Sequence, residues 1–225
     1  MGRSLFIRSK YHSDILVLGE VGHVDLSLVG AVLSNYDFFY QAGENAHAGA
    51  LVLIRKDIHV TRVFCSLPNI CVIDIFLSET IRLIVIYAPA SKTWNWTDLT
   101  TLITHHCMIM GDFNIDIERD GEEADKLLEW VDSCSLMSVI PDSNTSLRSD
   151  RTIGYAVTNG MDLTIQTYES DTSSDHKPLL GVFTDEGVPK TVGSRTIWSV
   201  FSLVLSYTYE FWEKKEWNTQ LSETT

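Results

Sequence analysis

Acids, an amide and a histidine lie beside short apolar runs at three places in this sequence, where strand ends are expected. They are Glu20, then Asp112 and Asn114, and then Asp175 and His176. Because the strands of a sheet deliver their ends to a common edge, we expect these side chains to share one rim. Carboxylates bind hard divalent cations, which polarise water, and an imidazole can stabilise or protonate phosphate oxygens. The inventory therefore suits metal-assisted cleavage of a phosphodiester.

The tetrapeptide Gly111-Asp112-Phe113-Asn114 is the strongest local signal, because it directly follows the apolar run 107–110. A glycine permits a sharp turn at a strand end. The acid and the amide, two positions apart, would then project to one side, where they can orient a water and hold a phosphate oxygen. The alternative is an Asx turn, in which Asp and Asn are common for conformational reasons alone.

The segment Ser174-Asp175-His176 places a histidine beside an acid just before a strand-like stretch. Asp162 opens another apolar stretch, residues 161–167, and could hold the imidazole in one tautomer, as catalytic acids do for histidines. A solvated surface pair without function is the alternative for this segment.

The formal net charge of −13 opposes binding to a polyanion, since nucleic-acid-binding proteins usually carry a basic footprint. Either contacts to phosphate are local, or affinity for the polyanion is weak, or a neighbouring part that is missing supplies the basic contacts. Candidates for local contacts are Lys92, Arg148, Arg151 and Lys177. The four cysteines have neither metal-binding nor disulfide spacing, which favours buried thiols in a reducing compartment.

Short apolar runs with β-branched members predict strands, and two segments with helical periodicity predict helices. The predicted strands are residues 14–18, 51–54, 71–77, 81–87, 107–110, 161–167 and 179–183, and the predicted helices are residues 97–105 and 121–134. The short connection at residues 78–80 predicts a hairpin. Strands outnumber helices and mix hairpins with crossovers, which favours a layered α/β fold with a mixed sheet, or two sheets packed face to face.

The character of the sequence changes after about residue 185, where glycines and a proline indicate a linker. We expect one domain over residues 1–185 and a linker with a helical tail over residues 186–225. Residues 197–209 are free of charges and rich in large apolar side chains, but they are too short and too rich in Ser and Thr for a membrane span. A docked or partner-seeking helix is expected there, and no membrane attachment.

Six motifs, in order, resemble those of the endonuclease/exonuclease/phosphatase superfamily, and most of all the apurinic-type endonuclease domains of non-LTR (LINE-like) retrotransposons. The motifs are DILVLGE (14–20), AGALVLIRKDI (48–58), IRLIVIYAPAS (81–91), MIMGDFNIDI (108–117), GMDLTI (160–165) and SSDHKPLL (173–180). The resemblance implies a DNase I-like fold, a four-layer α/β sandwich of two mixed β-sheets flanked by helices. It also implies divalent-metal hydrolysis of a phosphodiester with Mg²⁺ (or Mn²⁺).

The resemblance further implies roles for seven residues. Glu20 would bind the metal, and Asp175 would support the metal or the adjacent histidine. The catalytic set would be Tyr87, Asp112, Asn114, Asp162 and His176. Within that set, Tyr87 would approach the scissile phosphate, while Asp112 and Asn114 would orient the attacking water. Asp162 would pair with His176, which would stabilise charge on the phosphate.

The partners that the resemblance implies are the phosphodiester backbone of DNA and a downstream reverse transcriptase domain, in an intracellular, nuclear location. Residues 195–198 (RTIW) are similar to the linker before such a polymerase. Family members begin with a strand that carries a metal-binding Asn, and nothing in residues 1–13 matches it. An N-terminal truncation that weakens or abolishes activity is therefore expected.

Three functional classes stay open on the sequence alone. The first is a DNA-nicking endonuclease, and the second is another phosphoesterase of the same superfamily that acts on lipid or nucleotide. The third is a non-catalytic remnant or interaction module, which the expected N-terminal truncation and the net charge of −13 favour.

Overall fold

The computed structural model describes residues 13–168 and 174–183, which form eleven strands and three helices. The strands are β1 (Ile15–Gly19), β2 (Tyr36–Ala42), β3 (Gly49–Arg55), β4 (Val60–Val63), β5 (Ile70–Phe76), β6 (Thr80–Tyr87), β7 (Cys107–Asp112), β8 (Met137–Val139), β9 (Gly154–Asn159), β10 (Leu163–Thr167) and β11 (Leu179–Phe183). The helices are α1 (Leu26–Val32), a 3-10 helix (Trp96–Leu102) and α2 (Gly121–Ser133).

The largest sheet has six strands in the order β4-β5-β6-β7-β9-β8. It is mixed, because β6 and β7 run parallel whereas the other neighbours pair antiparallel. Its central strands are nearly continuous apolar runs, as expected for strands that are covered on both faces. β5 and β6 pair as an antiparallel hairpin around residues 77–79, which confirms the predicted hairpin.

Two smaller antiparallel sheets complete the strand layers, one in the order β1-β3-β2 and the other formed by β10 and β11. Both contribute to one face of the six-stranded sheet. Val52 and Ile54 of β3 and Leu163 of β10 pack with Leu83 and Met108 of that sheet in a single core cluster.

The opposite face of the six-stranded sheet is covered by α2 and the 3-10 helix. Trp96, Leu127 and Trp130 pack there against Ile84 and Ile109. The helix α2 presents Leu127 and Trp130 on one side because its apolar positions recur with helical spacing. This cluster and the one between the sheets make the middle of the fold a helix–sheet–sheet stack.

The outer layer is α1, whose Val29 packs with Leu33, Tyr36 and the β3 residues Leu51 and Leu53. Asp25 caps this helix by accepting hydrogen bonds from the backbone N–H groups of the helix's second and third residues. The layers therefore run helix, sheet, sheet, helix, which confirms the predicted four-layer DNase I-like sandwich. The mixed pairing is found in the six-stranded sheet, and the smaller sheets are antiparallel.

Several local predictions differ in detail from the structure. The helix predicted at residues 97–105 is the 3-10 helix Trp96–Leu102, because only a short stretch packs before the chain turns into β7. The sequence did not predict strands β2, β4, β8 and β9, since they are very short or mix polar residues with apolar ones. The described residues all lie within one compact unit of the chain. The predictions for residues 1–12 and for the tail lie outside the described residues.

Within residues 13–168 and 174–183, no helix is both long enough and apolar enough to cross a membrane.

Candidate active site

Two parallel strands deliver Tyr87 and Asp112 to the same edge of the six-stranded sheet. The two residues are direct partners in the β6–β7 register, so both side chains emerge where their strands end. Gly111 makes this end possible, because its φ is +146° and an added Cβ would lie 1.9 Å from the carbonyl oxygen of Ile86. No other residue fits such a position without moving the backbone.

Asn114 closes the loop that follows β7 and holds the Asp112 carboxylate. Its backbone N–H donates to Oδ1 of Asp112 at 2.9 Å, and its Nδ2 donates to Oδ2 at 3.0 Å. The same Nδ2 donates to the carbonyl oxygen of Ala88 at 2.8 Å, which ties the loop to the segment after β6. Asn114 adopts a φ of +52°, a left-handed conformation that Asn tolerates well. The amide therefore positions Asp112.

Glu20 reaches the same edge from the neighbouring layer. It follows β1 in a left-handed conformation, with a φ of +51°. Its carboxylate accepts a hydrogen bond from the hydroxyl of Tyr87. Burial, together with this contact to Glu20, raises the pKa of Tyr87, so the tyrosine stays a protonated donor.

His176 lies between two carboxylates. Its Nε2 is 3.7 Å from Oδ2 of Asp112 and 3.8 Å from Oδ1 of Asp175. Both distances exceed a normal hydrogen bond, so the contacts are electrostatic. A small rotation, or a bridging water, would be needed for proton transfer between these groups.

The loop over residues 142–153 fixes the segment that carries His176, and the sequence did not predict this role. Thr145 accepts a hydrogen bond from the backbone N–H of Lys177 at 2.8 Å, and Leu147 donates to the carbonyl oxygen of Asp175 at 2.7 Å. Ser146 forms a β-bridge with His176. Clustered Asp, Ser, Asn and Thr residues indicate a turn-rich loop, but not which segment that loop pairs with.

Three carboxylates gather at this edge, and their mutual repulsion is visible at Asp112. Burial is the main cause that raises the pKa of Asp112 to about 6, and the charges of Glu20 and Asp175 add to it. His176 and the N–H of Asn114 act in the opposite direction. A site that keeps three acids together with few positive neighbours is suited to a cation.

The donor set fits a divalent ion. Glu20, Asp175 and His176 each offer one ligand atom, and these atoms lie within 4.8 Å of one another. Two carboxylates and an imidazole are donors used for Mn²⁺, and carboxylates are the preferred ligands of Mg²⁺. These three residues, which we call the acid–histidine cluster, lie beside Asp112, and the two carboxylates of the cluster could hold the ion.

The expected pair of Asp162 and His176 does not form. Asp162 is exposed and lies directly before Leu163, which pairs with Phe183 at one end of the β10–β11 hairpin. His176 comes shortly before Leu179, which pairs with Thr167 at the other end of the hairpin. Four residue steps of strand separate those ends by about 13 Å.

No hydrogen bond or ion pair joins the two side chains in the described part of the chain. The proposed pairing was wrong because the antiparallel register of the hairpin places the acid and the histidine at opposite ends.

The four basic residues predicted to contact phosphate have different surroundings. Lys92 pairs with Glu44, and Arg148 lies 3.0 Å from Asp175. Arg151 pairs with Asp120 and donates to the carbonyl oxygen of Asn114 at 3.2 Å. The fourth, Lys177, is half-buried and follows His176 directly. Of the three ion pairs, only that of Arg148 involves a member of the acid–histidine cluster.

Comparisons with known proteins agree on the fold. No protein-family model and no curated protein matches the chain. A 3' phosphatase from Neisseria, solved with a product DNA hairpin, shares 16% identity over 81% of this chain and 93% of its own, with a TM-score of 0.59.

The endonuclease domain of TRAS1, a telomere-specific non-LTR retrotransposon, shares 16% identity over 78% of this chain and 86% of its own, with a TM-score of 0.62. An endonuclease/exonuclease/phosphatase protein from Bacteroides vulgatus shares 14% identity over 81% and 88%, with a TM-score of 0.59. The chain therefore has the DNase I-like fold of the endonuclease/exonuclease/phosphatase proteins, whose solved members include nucleases and phosphatases.

Proposed function

We propose that this chain is a divalent-metal-dependent phosphodiester hydrolase that nicks DNA, as the endonuclease domain of a retrotransposon. The observation that carries the proposal is the position of the acid–histidine cluster beside Asp112 and Tyr87, at one edge of this fold. Two neighbours of the same fold support DNA as the substrate, since one was solved with a DNA hairpin and the other is a retrotransposon endonuclease. Association with a downstream reverse transcriptase stays a prediction.

Each residue at the edge would contribute a separate part of the reaction. Glu20 and Asp175 would hold Mg²⁺ or Mn²⁺, which when bound neutralises phosphate oxygens and acidifies water. Asp112, held by Asn114, would accept the proton of the attacking water, which requires its ionised form. His176 would donate to a phosphate oxygen as negative charge develops there. Tyr87 would keep the Glu20 carboxylate oriented.

Plasmid nicking with matched variants tests the proposal. Supercoiled DNA is incubated with the full chain and increasing Mg²⁺ or Mn²⁺, and the relaxed product is quantified. Asp112→Ala and His176→Ala should each lower the rate by a factor on the order of 10³. Glu129→Gln, which changes an exposed acid on α2, should leave the rate unchanged.

A folded wild-type chain that binds Mn²⁺ but does not nick DNA at any metal concentration would reject the endonuclease proposal. Circular dichroism of each variant would establish that it is folded. A 3'-phosphorylated oligonucleotide, assayed in parallel, would reveal phosphatase activity of the kind carried out by the Neisseria neighbour.

A non-catalytic module of the same fold is the second candidate function. It is favoured by one observation: within the described residues, neither of the two carboxylates beside the His176 ring lies at hydrogen-bond distance from it. Persistence of the nicking signal in His176→Ala would indicate a contaminating nuclease and support this second candidate.

A further inference from the structure

Arg148 contacts the acid–histidine cluster from the loop over residues 142–153. Its Nη1 lies 3.0 Å from Oδ2 of Asp175, and its side chain is 80% exposed, whereas that of Asp175 is 29% exposed. The other oxygen of the same carboxylate faces His176. One acid of the cluster is therefore shared between a solvated guanidinium and the site.

The backbone around Arg148 is fixed although its side chain is exposed. Its N–H donates to the hydroxyl of Ser146 at 3.2 Å, and Asn144 donates to the carbonyl oxygens of Ser146 and Ser149 at 3.2 and 3.3 Å. Leu147, the preceding residue, donates to the backbone of Asp175. The base of the side chain is thus held beside the cluster, while its charged end is exposed to solvent.

We infer that Arg148 is an exchangeable partner of Asp175: it balances this carboxylate in the metal-free chain, is displaced when a divalent cation binds, and then contacts a phosphate of the substrate. The inference rests on the proposed function and makes Arg148 a substrate-binding residue. A cation bound at Asp175 would repel the neighbouring guanidinium and compete with it for the charge of that carboxylate. A released guanidinium beside the reacting phosphodiester has a planar fork of donors that suits phosphate oxygens.

Metal binding without DNA tests the first part of the inference, that a divalent cation displaces Arg148 from Asp175. Mn²⁺ affinity of the full chain is measured by calorimetry or by the electron paramagnetic resonance signal of free Mn²⁺. Arg148→Gln should bind Mn²⁺ about three- to tenfold more tightly than wild type, because a competing positive charge has gone. Arg148→Lys should stay within about twofold of wild type, since the charge remains.

Lys56→Gln is the matched control, because it removes one exposed positive charge at the end of β3 remote from Glu20. It should leave Mn²⁺ affinity unchanged. Unchanged or weaker Mn²⁺ binding in Arg148→Gln would overturn the inference, even where wild type nicks DNA. A wild-type chain that binds no Mn²⁺ would overturn both this inference and the proposed function.

DNA binding tests the second part of the inference, that Arg148 contacts a phosphate of the substrate. The logarithm of the association constant for a duplex oligonucleotide is followed against the logarithm of salt concentration, with Ca²⁺ present to fill the site. Arg148→Gln should reduce the slope by about one relative to wild type, which corresponds to one lost phosphate contact. An unchanged slope, equal to that of Lys56→Gln, would reject the phosphate contact.

Discussion

The imidazole Nε2 of His176 lies 3.7 Å from Oδ2 of Asp112. Asp112 ends a central strand of the six-stranded sheet, and His176 precedes β11 of a separate two-stranded sheet. This contact therefore forms where two sheets meet. Anything that shifts one sheet against the other should alter this contact before it alters either strand.

The glycine at the end of β7 gives the sharpest structural prediction. Gly111→Ala should lower the free energy of unfolding by about 3 kcal/mol or more, because its Cβ would collide with the backbone of Ile86. Gly154→Ala is the matched control: its Cβ would meet no atom closer than 3.5 Å, so stability should change by less than about 1 kcal/mol. Urea denaturation midpoints of the two variants check the contrast, and equal midpoints would contradict it.

The pKa of Asp112 predicts how stability depends on pH. Burial raises it from 3.8 in the unfolded chain to about 6 in the folded one. The folded chain therefore holds this proton more tightly, and stability is lost as pH rises from about 4 to 6. In Asp112→Asn this dependence is absent. The free energy of unfolding of wild type should therefore fall by roughly 2–3 kcal/mol relative to that of the variant between pH 4 and 7.5.

That pH experiment requires a chelator, because a bound cation would favour the ionised carboxylate and reverse the effect. Chemical denaturation at each pH gives the two free energies of unfolding. A difference between wild type and Asp112→Asn that stays constant with pH would show that Asp112 titrates at its ordinary value.

Asp162 and Asp175 are acids that should differ in their effect on the nicking rate. Asp162→Asn should leave the nicking rate within about twofold of wild type, since the side chain is exposed at the remote end of the β10–β11 hairpin. Asp175→Asn should lower the rate by about 10² or more and weaken Mn²⁺ binding, as expected for a metal-supporting acid. A loss in Asp162→Asn as large as that in His176→Ala would mean that the two residues act together.

Thr145 holds the loop that positions His176. Its hydroxyl oxygen accepts hydrogen bonds from the backbone N–H groups of Ile153 and Gly154, both at 2.9 Å, in a fully buried place. Thr145→Val keeps the shape but leaves two buried donors unpaired, so the free energy of unfolding should fall by about 2–4 kcal/mol. Thr145→Ser keeps the acceptor and should cost about 1 kcal/mol. Similar losses in the two variants would argue against this role.

The central strands and their ends could be predicted from the sequence, because their signals are local. Continuous apolar runs predicted β3, β5, β6 and β7. A glycine followed by an acid and an amide predicted the sharp end of β7, and the structure shows the steric reason at Gly111. The expectation that Glu20, Asp112 and His176 lie at one edge came from strand ends and from the motif order.

Other relationships depend on register and packing, which short-range patterns do not contain. Asp162 and His176 are close in the chain, yet antiparallel pairing sends them to opposite ends of one hairpin. The loop at residues 142–153 looks like any polar turn until its backbone pairs with the segment around His176. The ion pair of Arg148 and Asp175 follows from that pairing. Sequence thus determined which side chains end the strands, whereas the tertiary structure decided which of them meet, because contacts between sheets arise only when distant backbone hydrogen bonds and core packing are satisfied together.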